Sequence, residues 1–240
     1  VASRSGVVQS ANLFDGYKTA CVFTTSEEAA EAGLYILGEN GVDRNYFGAG
    51  DMHFVDRDGD HQITEADRMV IGDPNPDIFG NIFTSFTWKD LTLDLNFKYS
   101  LGNDIYNYQR SQLEAANNIY NQTTAVCNRW RYERQITDMP RAMAPGNDQW
   151  VNNERFSDRW IEDGSFLKLK KVRLTYKVPV HLSWLLGLSI WGEANNVFTV
   201  TKYLGNDPEV SCGNSVLYQG IDAGYLPLSR NFNIGLTINL

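Results

Sequence analysis

The 240-residue sequence predicts an all-β chain built from antiparallel strands, and three observations carry that expectation. The last segment alternates strictly, with Phe232, Ile234, Leu236, Ile238 and Leu240 against Asn233, Gly235, Thr237 and Asn239. Such period-two alternation marks a strand with one apolar and one polar face. A second run sets Leu91, Leu93, Leu95, Phe97 and Tyr99 against Thr92, Asp94, Asn96, Lys98 and Ser100. Tyr, Phe and Trp together reach 12%, which suits β-structure or a membrane interface.

Taken in order, residues 17–23 form a weak first strand candidate. Residues 78–88 pair with the alternating run from Leu91 through Lys89-Asp90, a two-residue hairpin turn. Another strand covers 165–177. Its apolar phase moves from Leu167 and Leu169 to Val172, Leu174 and Tyr176, which predicts a bulge near Lys170-Lys171. Residues 188–200 follow, with Leu188, Ile190, Ala194, Phe198 and Val200 on one face, and the final strand runs to Leu240. A short helix over 110–119 is read from the spacing of Leu113, Ala116 and Ile119.

The connections alternate between short (89–90, 179–187) and very long (102–164, 201–230), the long ones rich in Asn, Asp, Tyr and Gly. Compact soluble domains seldom carry structureless loops of that size, whereas outer-membrane barrels join short periplasmic turns to long extracellular loops. With Lys89-Asp90 on the periplasmic side, both long loops and 26–77 fall outside and Leu240 ends inside. Alternation by itself cannot separate a lipid-facing face from a core-facing one. A secreted, calcium-stabilised β-sandwich that binds carbohydrate therefore stands beside the barrel wall on pattern alone.

A net charge of −8 excludes nucleic acid, which needs a basic face. Cys21, Cys127 and Cys212 are too few and too far apart for a disulfide framework, and they show no metal spacing. Cys127 and Cys212 could pair, but the reading favours free or buried thiols. No run of about 18 apolar residues is present, so no transmembrane helix is expected. Val1-Ala2-Ser3-Arg4-Ser5-Gly6 lacks a signal-peptide core, and the chain is read as beginning mid-protein.

Several strings carry a family resemblance. In order they are Gly16-Tyr17-Lys18-Thr19, Gly50-Asp51 with Asp56-Arg57-Asp58-Gly59-Asp60, Ile71-Gly72-Asp73-Pro74-Asn75-Pro76, Gly102-Asn103-Asp104-Ile105-Tyr106-Asn107 and Asn128-Arg129-Trp130. The series continues through Ser157-Asp158-Arg159-Trp160-Ile161-Glu162-Asp163-Gly164-Ser165-Phe166-Leu167-Lys168-Leu169-Lys170, Asn195-Asn196-Val197-Phe198-Thr199 and Asp207-Pro208-Glu209-Val210. Collinear from residue 16 onward, they resemble the C-terminal part of the SusC/RagA group of TonB-dependent outer-membrane transporters.

The resemblance implies a β-barrel of about 22 strands with a plugged lumen, of which residues 1–240 hold about six. The plug, the TonB-contacting segment and the rest of the barrel would lie upstream. It also implies nutrient import across the bacterial outer membrane, with oligosaccharide or peptide cargo. A SusD-like surface lipoprotein would cover the long loops, and no enzymatic activity is expected. Asp94, Asn96 and Lys98 would line the lumen, and the Leu91–Tyr99 apolar set would meet membrane lipid. Bacterial barrels of this kind usually finish on an aromatic residue, whereas this chain finishes on Leu240.

One motif carries ligand chemistry. Asp56, Asp58 and Asp60 recur at alternate positions, followed by Gln62, Ile63 and Asp67. Calcium takes six to eight oxygens, and a loop presenting them at alternate positions wraps one ion. The three aspartates and Asp67 would give carboxylates, Gln62 its backbone carbonyl, and Ile63 would anchor the loop. His61 stands where such loops want Gly for a sharp turn. An Asp-rich solvated turn without an ion is the plain alternative.

Tyr106, Tyr108, Tyr120, Trp130, Tyr132 and Trp150 could stack on sugars, but each reads first as loop packing or interface girdle. His53, His61 and His181 sit in no catalytic motif, and no nucleotide-binding glycine loop occurs. Glu162 and Asp163, adjacent on a strand, would point to opposite faces and are poorly placed to flank one glycosidic bond. Asp163-Gly164 reads as a turn into the strand that follows.

Overall fold

The computed structural model describes residues 3–4, 11–38, 40–147, 149–180, 184–209 and 218–239. The chain divides into two compact units, one of residues 1–74, 105–162 and 211–224, the other of 75–104, 163–210 and 225–240. His181, Cys212 and Leu240 lie outside the described residues.

The second unit contains a five-stranded antiparallel sheet in the order Asn231–Asn239, Gly187–Thr201, Phe166–Val178, Leu91–Leu101, Ile78–Trp88. Its strands run from 9 to 15 residues, the length needed to cross a bilayer when tilted. The hairpin at Lys89-Asp90 closes as expected: Trp88 stands opposite Leu91, and Lys89 takes the left-handed conformation (φ 52°) that tight hairpins use. The expected bulge is also present. Register slips between Leu169 and Lys171 against both neighbouring strands.

Register decides the faces. Trp88, Leu91, Tyr176, Ile190 and Leu236 stand side by side across all five strands, as do Phe86, Leu93, Leu174, Gly192 and Ile234. The result is one continuous apolar face. Phe86 is 61% exposed, Trp88 71% and Ile234 87%, so this face is not the core of the unit. Soluble proteins seldom leave so large an apolar patch in water. Its exposure argues against the β-sandwich, in which two apolar faces would bury each other.

The first unit corrects three expectations. Residues 17–23 do supply a strand, but a short one that stands outside the five-stranded sheet. Only Thr19–Val22 is extended there, and it pairs with Met52–Phe54 in a two-stranded ribbon. Val22 and Phe23 point into a core with Leu34, Ile36, Phe47, Phe54 and Ile63, so local packing ends the strand early. Residues 102–164 are not a structureless loop either: Val151 joins that core, and Tyr106 and Trp160 join Phe14 and Ile221 in a second one. The pairing of Tyr106 and Asn107 with Ile221 and Asp222 is parallel, a long-range contact that local pattern does not announce.

The third correction is the 110–119 helix. The helix runs over Tyr108–Leu113 and is capped by Asn107, whose side chain accepts from Arg110 N at 2.9 Å. Ala116 turns left-handed (φ 51°), and the Asn118 side chain takes Tyr120 N in a local turn. Asparagine amides compete in this way with helical hydrogen bonding. Ile119 ends fully exposed, outside any core.

Candidate functional site

Two constellations stand out, one in each unit. In the first unit the carboxylates of Asp56, Asp58 and Asp60 converge, with ligand atoms within 4.8 Å of one another. The backbone folds around them. Asp56 accepts from Gly59 N (2.7 Å) and His61 N (2.8 Å), and Asp60 accepts from Gln62 N (2.7 Å). His61 adopts φ 63°, the left-handed turn that glycine supplies in such loops, and its Nδ1 lies 3.0 Å from Ala32 O. Ile63 anchors the loop in the core as expected.

The other two sequence-predicted ligands differ in setting. Gln62 is half-buried, and its side chain accepts from Tyr35 Oη at 3.3 Å, so the side-chain oxygen is engaged away from the aspartates. Asp67 is fully buried, taking Arg57 N on Oδ1 and Thr64 N on Oδ2, both at 2.8 Å. Asp67 thus closes the loop as a cap, while the three aspartates form the open cluster. Partial desolvation and the neighbouring carboxylates Asp60, Asp67 and Asp56 raise the Asp58 pKa, a repulsion that a cation would relieve.

In the second unit the polar face of the sheet is a charged wall. Lys168 stands directly opposite Lys98 on the next strand, a like-charge pairing that is unfavourable unless something intervenes. Glu209 intervenes. It is bound by Lys98, by Lys168 Nζ at 3.0 Å and by Lys170 Nζ at 2.9 Å, while Asp207 takes Lys168 Nζ at 2.7 Å. Burial opposes ionisation of Glu209, but the three ammonium groups outweigh it and hold its pKa at about 2. Further along the same face Lys171 and Arg173 share Glu193, and the Arg173 guanidinium lies 4.3 Å from the Trp191 ring centre.

The chain matches no family model. It is 32% identical over 193 residues to TonB-dependent receptor P3 of Formosa agariphila, a match covering 77% of this chain and 18% of that one. Receptor P26 of the same organism matches at 28% identity over 97% of this chain and 23% of its own length. TonB-dependent receptor SusC of Bacteroides thetaiotaomicron matches at 26% over 77% of this chain. The chain belongs to the TonB-dependent receptors of the SusC/RagA type. Solved structures of the RagAB peptide importer in its closed-closed state and of the RagAB peptide transporter share its fold. Their TM-scores are 0.68 and 0.69, at 23% and 22% identity over 95% of this chain. The chain spans about a fifth of the length of the curated relatives it matches.

That kinship places this SusC/RagA-type chain in the bacterial outer membrane, and its five-stranded sheet is an unclosed arc of a β-barrel wall. Its apolar face is the one suited to lipid, and Asp94, Asn96 and Lys98 share the other. The remaining sequence candidates find structural roles. Glu162 pairs with Arg110 at 2.8 Å rather than with Asp163. The Asp163 carboxylate accepts from Ser165 N at 2.9 Å, the turn expected there. His53 lies inside a strand, stacked 4.6 Å from Phe23, and burial lowers its pKa. Tyr106 is core, Trp130 packs over Gly50, and Tyr120 and Tyr132 are exposed. Cys21 and Cys127 are free thiols.

Sequence reasoning missed Lys168, Lys170, Lys171, Arg173 and their carboxylate partners as a group. The run from Lys168 to Arg173 was visible, but Glu209 lies 39 residues beyond Lys170 and only folding joins them.

Proposed function

We propose that this chain is the C-terminal part of an outer-membrane importer that takes up oligosaccharides or peptides with energy delivered by TonB. A SusD-like surface lipoprotein would capture cargo and hand it to the receptor. The observation that carries this reading is the two-sided sheet: an exposed apolar face across five strands, backed by a charged and asparagine-rich one. Such a wall suits lipid outside and an aqueous path inside. The relatives' names point the same way, since they are receptors and importers rather than enzymes.

Within this reading the Asp56–Asp58–Asp60 loop holds a structural calcium ion, with Gln62 giving its carbonyl and Asp67 locking the loop. The ion would tie together a loop whose carboxylates otherwise repel one another. The test is uptake: deleting the gene for the receptor, or for TonB, abolishes growth on one oligosaccharide or peptide mixture, and a surface lipoprotein co-purifies with the tagged receptor. Unchanged growth on every such mixture would sink the proposal.

A further inference from the structure

The import reading leaves cargo chemistry open, and the charged wall speaks to it. Lys98, Lys168, Lys170, Lys171 and Arg173 all serve the polar face of two adjacent strands. The bulge explains the density: it lets Lys170 reach Glu209 on the same side as Lys168, with Lys171 following on that face. This basic stripe lies in a chain of net charge −8, so it is a local feature and not a reflection of composition. Among the described residues of the sheet strands, Asp94 and, on Gly187–Thr201, Glu193 are the carboxylates that answer it. The other counterions, Asp207 and Glu209, come from the segment after Thr201.

Glu209 is held as a ligand would be. Three ammonium groups from two strands close on one carboxylate, and Lys168, only 2% exposed, is buried against it. Burying a lysine is unfavourable unless an anion is at hand, and Asp207 and Glu209 together supply it for Lys168. Lys171 and Arg173 continue the stripe with one shared carboxylate between two cations, and their side chains stay 36% and 32% exposed. Against Asp94, Glu193, Asp207 and Glu209 the five cations of the stripe keep only a small positive excess, and that excess attracts anions.

Resting on the import reading, we propose that the cargo bears carboxylate groups, that Lys171 and Arg173 guide it along the wall, and that Glu209 occupies the Lys98–Lys168–Lys170 carboxylate site until cargo competes for it. Acidic peptides and uronic-acid oligosaccharides offer the same group, and the probes separate them.

The test measures binding to the purified full-length receptor in detergent, after its heat-modifiable mobility has been checked. The probes are tetraglutamate with tetraglutamine, and trigalacturonate with its neutral methyl ester. At least one acid binds about tenfold more tightly than its neutral partner. Glu209→Gln removes the resident competitor and tightens that acid several-fold while leaving the neutral probe unchanged. Lys171→Gln, which leaves the Glu209 cluster intact, weakens the acid alone. Charge-blind binding by a heat-modifiable receptor, or equal effects of the variants on acid and neutral probes, overturns the inference and leaves import standing. A receptor that shows no heat-modifiable barrel overturns both.

Discussion

Arg141 holds Asp51 through both sides of its guanidinium: Nε donates to Oδ1 and Nη2 to Oδ2, each at 2.7 Å. Asp51 is fully buried and also takes Gly48 N and the Asn153 amide, so four donors converge on one carboxylate. The pair pins residues about 90 positions apart in the chain. Breaking one side of a buried pair strands the other charge, at a cost of about 3–5 kcal/mol. Arg141→Ala should therefore destabilise the first unit by an amount in or just below that range, since Arg141 is partly exposed. Urea unfolding followed by Trp130 fluorescence measures it, and the double variant Asp51→Asn/Arg141→Ala should recover part of the loss.

The two faces of one strand make a paired prediction. Ile234 lies in the middle of Asn231–Asn239 on the apolar face, beside Gly192, and Asn233 lies on the polar face beside Glu193. An arginine on the lipid side near mid-bilayer costs about 2–4 kcal/mol. Ile234→Arg should lower the folding yield of the full receptor into lipid vesicles, and Asn233→Arg should not. Equal loss from both would contradict the assignment of faces.

Glu209 sets a pH dependence with a definite sign. Its folded pKa of about 2 lies below the ordinary 4.5, so the folded state binds its proton less readily than the unfolded chain. The stabilisation is present in full above about pH 4.5 and is lost as pH falls toward 2. Hydrogen exchange over 202–209 should accelerate through that window and show no such step in Glu209→Gln.

Calcium should make the 56–67 loop resistant to protease and displace bound terbium. Asp58→Asn should weaken binding about tenfold or more, because the charge count tunes these sites. Asp67→Asn should also destabilise the calcium-free loop by about 1–2 kcal/mol, since it holds two backbone N–H groups. If Asp58→Asn leaves terbium binding unchanged, the loop is only a solvated turn.

Much of the sheet was legible because strand physics is local. Alternation at Leu91–Leu101 and Asn231–Asn239, the Lys89-Asp90 turn and the phase slip at Lys170 can each be read within a dozen residues, and each appears in the fold. The convergence of Asp56, Asp58 and Asp60 was legible for the same reason. The rest of the first unit was not. Its cores join Phe14 to Trp160 and Val22 to Val151, and its short strands are held by such contacts instead of their own periodicity. Residues 17–23 read as a weak strand candidate, and Thr19–Val22 is a strand, but nothing nearby announces the core that turns Phe23 inward. The Glu209 site was hidden likewise, its lysines and its carboxylate lying on separate segments.

The most direct measurement is the behaviour of the full-length receptor that contains this chain, fractionated from the cell envelope and run on a gel with and without boiling. Recovery with detergent-extracted outer membrane and a heat-dependent mobility shift is the expected result, since closed barrels resist unfolding until heated. Full solubility without detergent, with one mobility at both temperatures, would contradict the barrel wall and the import reading that depends on it.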